Sequence, residues 1–258
     1  MEKILITGGK GGVGKTSVTA SVGIALALSG EKTVLVDGDI GLNNLDVALH
    51  AEERILYDIG DVATGKATIS QALLRIEKNL FLLPSFTACS SAVSAESFEE
   101  IISELNGGFR FVLIDCPAGV ERSFLRSARC ARSSIIVTTP HISGVRDAYK
   151  TSKILAGLGY AEQKLVVNRI KSNLVDKGKS LSAEQIAEAV RLPLLGVVPE
   201  SAEIDLNGIP DFSDPRDGAA YSYRLIADCL SGKEKRIYDY IKDGKKLGSR
   251  LRRLKDSI

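Results

Sequence analysis

Unbroken apolar runs such as Phe111-Val-Leu-Ile114 and Ile135-Ile-Val137 restrict this chain's fold more than any other feature. They read as strands covered on both faces, as in a parallel sheet. The same pattern predicts strands over Lys3–Thr7, Thr33–Asp37, Leu80–Leu83, Phe109–Asp115, Ser134–Thr139, Lys164–Asn168 and Leu194–Val198. Helical patterns fall between them, over Lys15–Ser29, Ser94–Leu105, Ser123–Arg129, Val145–Leu158, Ser182–Val190 and Gly218–Leu230. Gly30 and Gly107 stand where helix C-caps belong, and Ser182-Ala-Glu-Gln185 fits a capping box. Strands alternating with helices mean βαβ units, hence an α/β fold with a single doubly wound, mostly parallel sheet. No internal repeat or low-complexity linker interrupts it.

The 258 residues are 44% hydrophobic and 26% charged, an ordinary globular composition with ample material for a core. A net charge of only +2 excludes a wholly basic nucleic-acid binder. The total conceals an asymmetry, because residues 233–258 carry ten Lys or Arg against four Asp or Glu, a net of +6, and residues 1–232 a net of −4. The composition break divides the chain into a body, 1–232, and a basic tail, 233–258. Cys89, Cys116, Cys130 and Cys229 form no C-x-x-C pair and match no zinc spacing, so reduced, partly buried thiols are expected. No secretory signal and no apolar window of membrane-spanning length is present, which points to a cytosolic body.

Chemistry enters at Gly8-Gly-Lys-Gly-Gly-Val-Gly-Lys-Thr16, directly after a strand and opening a helix. Gly9 through Thr16 satisfies G-x-x-x-x-G-K-[ST], the signature of the P-loop NTPase fold. Glycines let successive backbone N–H groups turn inward as a nest for phosphate oxygens, and the helix start adds its positive dipole end. Gly9, Lys10, Gly11, Gly12, Val13, Gly14, Lys15, Thr16 and Ser17 are therefore the expected nucleotide cradle. Within it Lys15 reaches the β- and γ-phosphates of ATP, and the Thr16 hydroxyl holds Mg2+. The competing reading is a merely tight glycine turn.

In an open parallel sheet, ligands bind beyond the carboxyl ends of the strands. The second strand runs into Asp37-Gly-Asp39 and the fourth into Asp115-Cys-Pro-Ala-Gly119, while later ones meet Pro140, Asn168-Arg169 and Pro199-Glu200. Asp115 has the form of a Walker B acid that orients Mg2+ through water, although capping a turn is the plainer alternative. The pair Asp37 and Asp39 could polarise an attacking water or order the metal's water shell. His50 and His141 stand alone, so no metal role is expected for them.

Lys10, a second lysine inside the loop, resembles the deviant Walker A box of the MinD/ParA ATPase superfamily. That resemblance implies that Lys10 acts across an ATP-sandwich dimer, on phosphates held by the other copy; otherwise it is a solvated loop lysine. Asp37-Gly-Asp-Ile-Gly-Leu-Asn-Asn-Leu-Asp46 and Asp115-Cys-Pro-Ala-Gly-Val-Glu121 are similar to the switch I and switch II segments of the MinD family. Thr138-Thr-Pro140, Val145-Arg-Asp147, Asn168-Arg169 and Gly196-Val-Val-Pro-Glu200 resemble it also, so the likeness spans about residues 1 to 230. It implies Asp39 beside the attacking water with Asp37 in support, Asn168 and the Pro199-Glu200 turn flanking the adenine, and Asp147 with the helix from Val145 as partner surface. Asn43 stands where Arg is common, and His141 where an acid is usual.

In the tail, Ile237, Ile241, Leu247, Leu251, Leu254 and Ile258 fall on one stripe amid Lys and Arg. This is a basic amphipathic helix suited to a membrane interface, in the position of the MinD membrane-targeting helix. It lacks the usual phenylalanines, and Gly244 and Gly248 weaken it by about 1 kcal/mol each. Anionic lipid contributes about 1 kcal/mol per nearby basic residue. Ordering costs offset much of that for one tail, whereas two tails on one dimer gain through effective concentration. The stripe could instead pack on the body, form a short coiled coil, or bind DNA nonspecifically.

The family likeness thus implies a slow, partner-stimulated Mg-ATP-dependent ATPase. It dimerises with ATP, docks on the inner membrane surface, recruits a MinC-like inhibitor to place the septum, and answers to a MinE-like or equivalent activator. A ParA-type DNA-partitioning ATPase is disfavoured because D-x-D-P is missing after the second strand. A regulator of flagellar number shares the motifs but usually carries an N-terminal extension, whereas here the first strand begins at Lys3. A metal-cluster carrier would need C-x-x-C, and a nonenzymatic nucleotide-binding module would lack hydrolysis altogether.

Overall fold

The computed structural model describes residues 1–39, 41, 44–85, 93–105 and 107–242. Asn43, Cys89 and the tail stripe from Leu247 onward lie outside the described residues. Among the described residues eight strands form one sheet: β1 (Glu2–Thr7), β2 (Thr33–Asp37), β3 (Leu74–Glu77), β4 (Leu80–Leu83), β5 (Phe111–Asp115), β6 (Ser133–Thr138), β7 (Glu162–Ile170) and β8 (Leu194–Pro199). They lie in the order β3-β4-β2-β5-β1-β6-β7-β8, and every pairing is parallel except β3 with β4. The doubly wound α/β sheet expected from the apolar runs is thus the fold.

Alternation along each strand divides the core in two. Leu5, Val34, Val36, Val112 and Ile114 face one side, where the helices Ala95–Glu104, Arg122–Arg129, Ile142–Gly157 and Ala183–Val190 bring Phe98, Phe124, Leu155 and Ile186. Ile4, Ile6, Leu35, Phe111 and Leu113 face the other, against Val22 and Leu26 of the helix Lys15–Leu28 and Tyr223 and Ile226 of the helix Gly218–Leu230. Because both faces are covered, the central strands carry apolar residues at every position, which is why they read as unbroken runs.

The helices follow their sequence signals closely. Ser182 and Gln185 form the expected capping box, and Gly30 and Gly107 take left-handed φ values of 95° and 89°. Cys116 and Cys130 are buried free thiols and Cys229 is half-buried, as their spacing led one to expect. β3 was not anticipated. Leu74-Arg-Ile-Glu77 alternates apolar with charged because it is an edge strand, half-exposed and paired only with β4.

Residues 233–242, which the charge count assigns to the tail, lie against the body. Lys233 Nζ reaches the Ser29 carbonyl at 2.9 Å and Glu31 Oε1 at 3.6 Å. Tyr238 and Tyr240 are buried, and the Tyr240 hydroxyl accepts from the Ala183 N–H at 3.2 Å. No helix among the described residues is long and apolar enough to cross a membrane.

Candidate active site

β1 ends at Thr7 and the helix begins at Lys15, so residues 8–14 turn the chain at the carboxyl edge of the sheet. Gly12 and Gly14 take φ values of 79° and 91°, which side-chain-bearing residues adopt only under strain. Gly14 is the helix N-cap and supplies no capping side chain, leaving first-turn N–H groups for an anion. The loop is wedged from behind. A Cβ on Gly9 would fall 2.6 Å from the Asp147 Cβ, and one on Gly8 would fall 2.7 Å from the Val137 carbonyl. Asn168 Nδ2 donates to the Val13 carbonyl at 2.9 Å, tying the loop to β7. Lys15 is only 8% exposed, whereas Lys10 stands exposed on the loop. Val13 is buried beneath the turn, and Thr16 and Ser17 are half-buried in the first helical turn.

Beneath the loop, the β5 end supplies Asp115. Thr16 Oγ1 donates to its Oδ2 at 2.7 Å and Thr19 Oγ1 to its Oδ1 at 3.0 Å, so the helix holds both carboxylate oxygens. Asp37 is its register neighbour on β2. Asp37 accepts the Asp39 N–H at 2.9 Å and the Leu45 N–H at 3.3 Å, which fixes the turn that carries Asp39. The Gly38 N–H donates to the Asp115 carbonyl at 2.9 Å, linking the two acid-bearing turns through backbone.

The electrostatics follow from burial. Asp37 and Asp115 are each 1% exposed. Burial, reinforced by the nearby Asp115 charge, pushes Asp37 up to about 8. Burial pushes Asp115 up to about 6, against the Thr16 hydrogen bond and the Lys15 charge. Asp39 also lies above the usual carboxylate range through burial, with Lys15 and Arg126 pulling it back. Three acids crowded in this way are short of positive charge, which a divalent cation would supply. Among the described residues no three His, Cys, Asp or Glu side chains converge as a metal cage. One hydroxyl, that of Thr16, beside the buried Asp115 is a donor set that suits a hydrated ion taking its other ligands from phosphate oxygens and water, the habit of Mg2+.

On the β7 and β8 side, Asn168 is buried, and its Oδ1 accepts the Arg169 N–H at 2.9 Å. Arg169, in the left-handed region at φ 57°, pairs with Asp205 at 3.2 Å. Glu200 pairs with Lys171 at 2.9 Å, and its N–H donates to the Ile170 carbonyl, which holds the Pro199-Glu200 turn beside Asn168 and Arg169. The structure thus gathers the anticipated residues along one edge, phosphate loop and acids at the centre, with the four outer residues flanking. Three contributors were not anticipated in these places. Thr19 reads as helix interior, Asp147 acts as a wall for Gly9, and Arg126 turns a charge into the buried face of its helix.

Comparison with known proteins agrees with this geometry. Residues 4–209 match the family described as the CobQ/CobB/MinD/ParA nucleotide binding domain. The chain is 41% identical over 239 residues to the septum site-determining protein MinD of Bacillus subtilis, covering 90% of this chain and 89% of that protein. The MinD fold in the MinC:MinD cell division protein complex of Aquifex aeolicus superposes with a TM-score of 0.84 at 36% identity, covering 91% of this chain and 97% of that one. MinD of Pyrococcus horikoshii, solved with Mg-ADP, superposes at 0.81 and 30% identity, covering 91% and 99%. A phosphate loop braced by Asp147 and Asn168, an Asp115 held by Thr16, and this likeness over nearly the whole chain together place it in the MinD family of septum-site-determining ATPases.

Proposed function

We propose that the chain is a Mg-ATP-gated switch that dimerises, docks on the inner face of the cell membrane and recruits a division inhibitor. The observation that carries this reading is the linkage under the loop: Thr16 to Asp115, Asp115 to Gly38, and Asp37 to Asp39. Through it, whatever binds the phosphate loop acts directly on both acid-bearing turns.

In this reading the loop N–H groups of Gly9 through Gly14 and the first turn with Ser17 cradle the phosphates, and Lys15 neutralises the β- and γ-oxygens. Thr16 would hold Mg2+ directly and Asp115 would do so through water, with Asp37 and Asp39 ordering the surrounding waters. The metal supplies charge neutralisation for the phosphate oxygens. Asp39 orients the attacking water, and phosphoryl transfer asks for little beyond such positioning. Asn168, Arg169, Pro199 and Glu200 flank the adenine. The exposed Lys10 reaches the phosphates of a second copy, so that ATP completes the site only in a homodimer. Hydrolysis is slow and raised by a MinE-like or equivalent activator.

The A. aeolicus relative was solved as a MinC:MinD complex, which supports a MinC-like inhibitor as partner. Anionic lipid is the ligand of the basic tail, and one tail is marginal where two suffice. Nucleic acid is not a partner in this reading. The test is co-sedimentation of the full chain with vesicles containing anionic phospholipid. Sedimentation is expected with ATP and Mg2+, and little with ADP. Lys10→Ala should still bind nucleotide yet lose ATP-dependent sedimentation and hydrolysis. Equal sedimentation in both nucleotide states removes the switch.

A further inference from the structure

Arg126 is 8% exposed, on the helix Arg122–Arg129 that follows the Asp115 turn. A buried guanidinium is expensive unless its donors are met. Here they are poorly met. Nη2 donates to the Gly38 carbonyl at 3.4 Å, Cζ lies 5.5 Å from the Phe98 ring centroid, and Nε has no partner among the described residues. Stability does not explain an under-paired cation at this place.

Its neighbours do. Gly38 is hemmed in by the same helix, since a Cβ there would fall 2.7 Å from Ser127 Oγ and 2.6 Å from the Asp115 carbonyl. Arg126 and Ser127, consecutive on the helix, thus meet the turn whose next residue is Asp39. The Asp39 carboxylate feels the Arg126 charge from across that turn.

We propose that Arg126 is a positioning residue for hydrolysis: by gripping the Gly38 carbonyl it couples the Arg122–Arg129 helix to Asp39 and sets that acid against the attacking water. This rests on the reading of Asp39 given above. Arg126 touches no phosphate in this scheme, so it governs turnover and not nucleotide affinity.

The experiment measures kcat, KM for ATP and thermal midpoint on the full chain carrying Arg126→Met, Arg126→Lys or Arg126→Ala, with Asp39→Asn alongside. Arg126→Met should lower kcat about 10- to 100-fold with KM within about twofold, the signature of lost positioning. Added methylguanidine should restore part of the kcat of Arg126→Ala without changing its thermal midpoint. Arg126→Lys, which keeps the charge, should retain more activity than Arg126→Met and serves if the latter misfolds. A kcat left unchanged by Arg126→Met, while Asp39→Asn abolishes turnover, overturns the role of Arg126 alone. A parallel fall of kcat, affinity and thermal midpoint with no guanidinium rescue reduces Arg126 to a core residue and also overturns it. Full activity in Asp39→Asn removes the reading of Asp39, and the proposal falls with it.

Discussion

Asp37 and Asp115 are register neighbours on β2 and β5, and burial pushes both above the usual carboxylate range. The sign of the resulting pH dependence is opposite to that of a salt-bridged surface acid. Between the ordinary value of 3.8 and about 8, the native chain keeps a proton on Asp37 that the unfolded chain gives up. Stability therefore falls as pH rises through that window. Asp115 adds to the fall between 3.8 and about 6. Without nucleotide or metal, thermal denaturation should show a midpoint that drops from about pH 5 to about pH 8. Asp37→Asn, which cannot titrate, should flatten the upper part of that curve, its Nδ2 now facing one of the two backbone N–H groups that the acid accepts. An unchanged slope in the variant would mean that Asp37 titrates elsewhere. Lys15, Thr16 and Asp115 were legible from the sequence because phosphate chemistry demands those residue types after a strand. Thr19 was not, since its grip on Asp115 exists only because the helix Lys15–Leu28 lies across β5.

At the scale of elements, loop and wall are matched by absence of side chain. Gly9 needs its hydrogen because the start of the helix Ile142–Gly157 brings the Asp147 backbone and Cβ against it. Gly11 has room, its nearest neighbour being the Ala118 Cβ at 3.9 Å. Gly9→Ala should therefore cost about 1–3 kcal/mol by overpacking, lower the thermal midpoint by several degrees and weaken binding of ADP. Gly11→Ala should leave the midpoint where it is, and calorimetry on the pair separates the two cases. The central strands and long helices were readable because double coverage makes strands apolar throughout and helices carry recognisable caps. Shorter pieces escaped. Helices such as Asn44–Ala48, Ile59–Ala63 and Ala202–Asn207 span five or six residues, too few to display a period of 3.6. The capping box of Asp58 with Asp61 was the one local sign of the second of these.

The whole molecule sets a −4 body against a +6 tail, yet packing and charge do not divide at the same residue. Lys233 is bound to Ser29 and Glu31, and Tyr238 and Tyr240 are buried beside the helices Gly218–Leu230 and Ala183–Val190. Burying such side chains contributes about 1.5–3 kcal/mol each. Tyr240 also meets the Ala183 N–H at the first turn of its helix, a donor that would otherwise be left to solvent. Ile237 and Ile241, which the apolar stripe counts as membrane-facing, precede or join this packed segment, and Ile241 is itself partly buried against the core. Two truncations then separate folding from anchoring. A chain ending at Lys242 should keep its thermal midpoint and lose ATP-dependent binding to anionic vesicles. A chain ending at Gly232 should lose vesicle binding as well, and its midpoint should fall by several degrees as the two tyrosine sites open. Equal midpoints in the two truncations would show that residues 233–242 add nothing to the body. Vesicle binding retained by the chain ending at Lys242 would move the membrane contact out of residues 243–258.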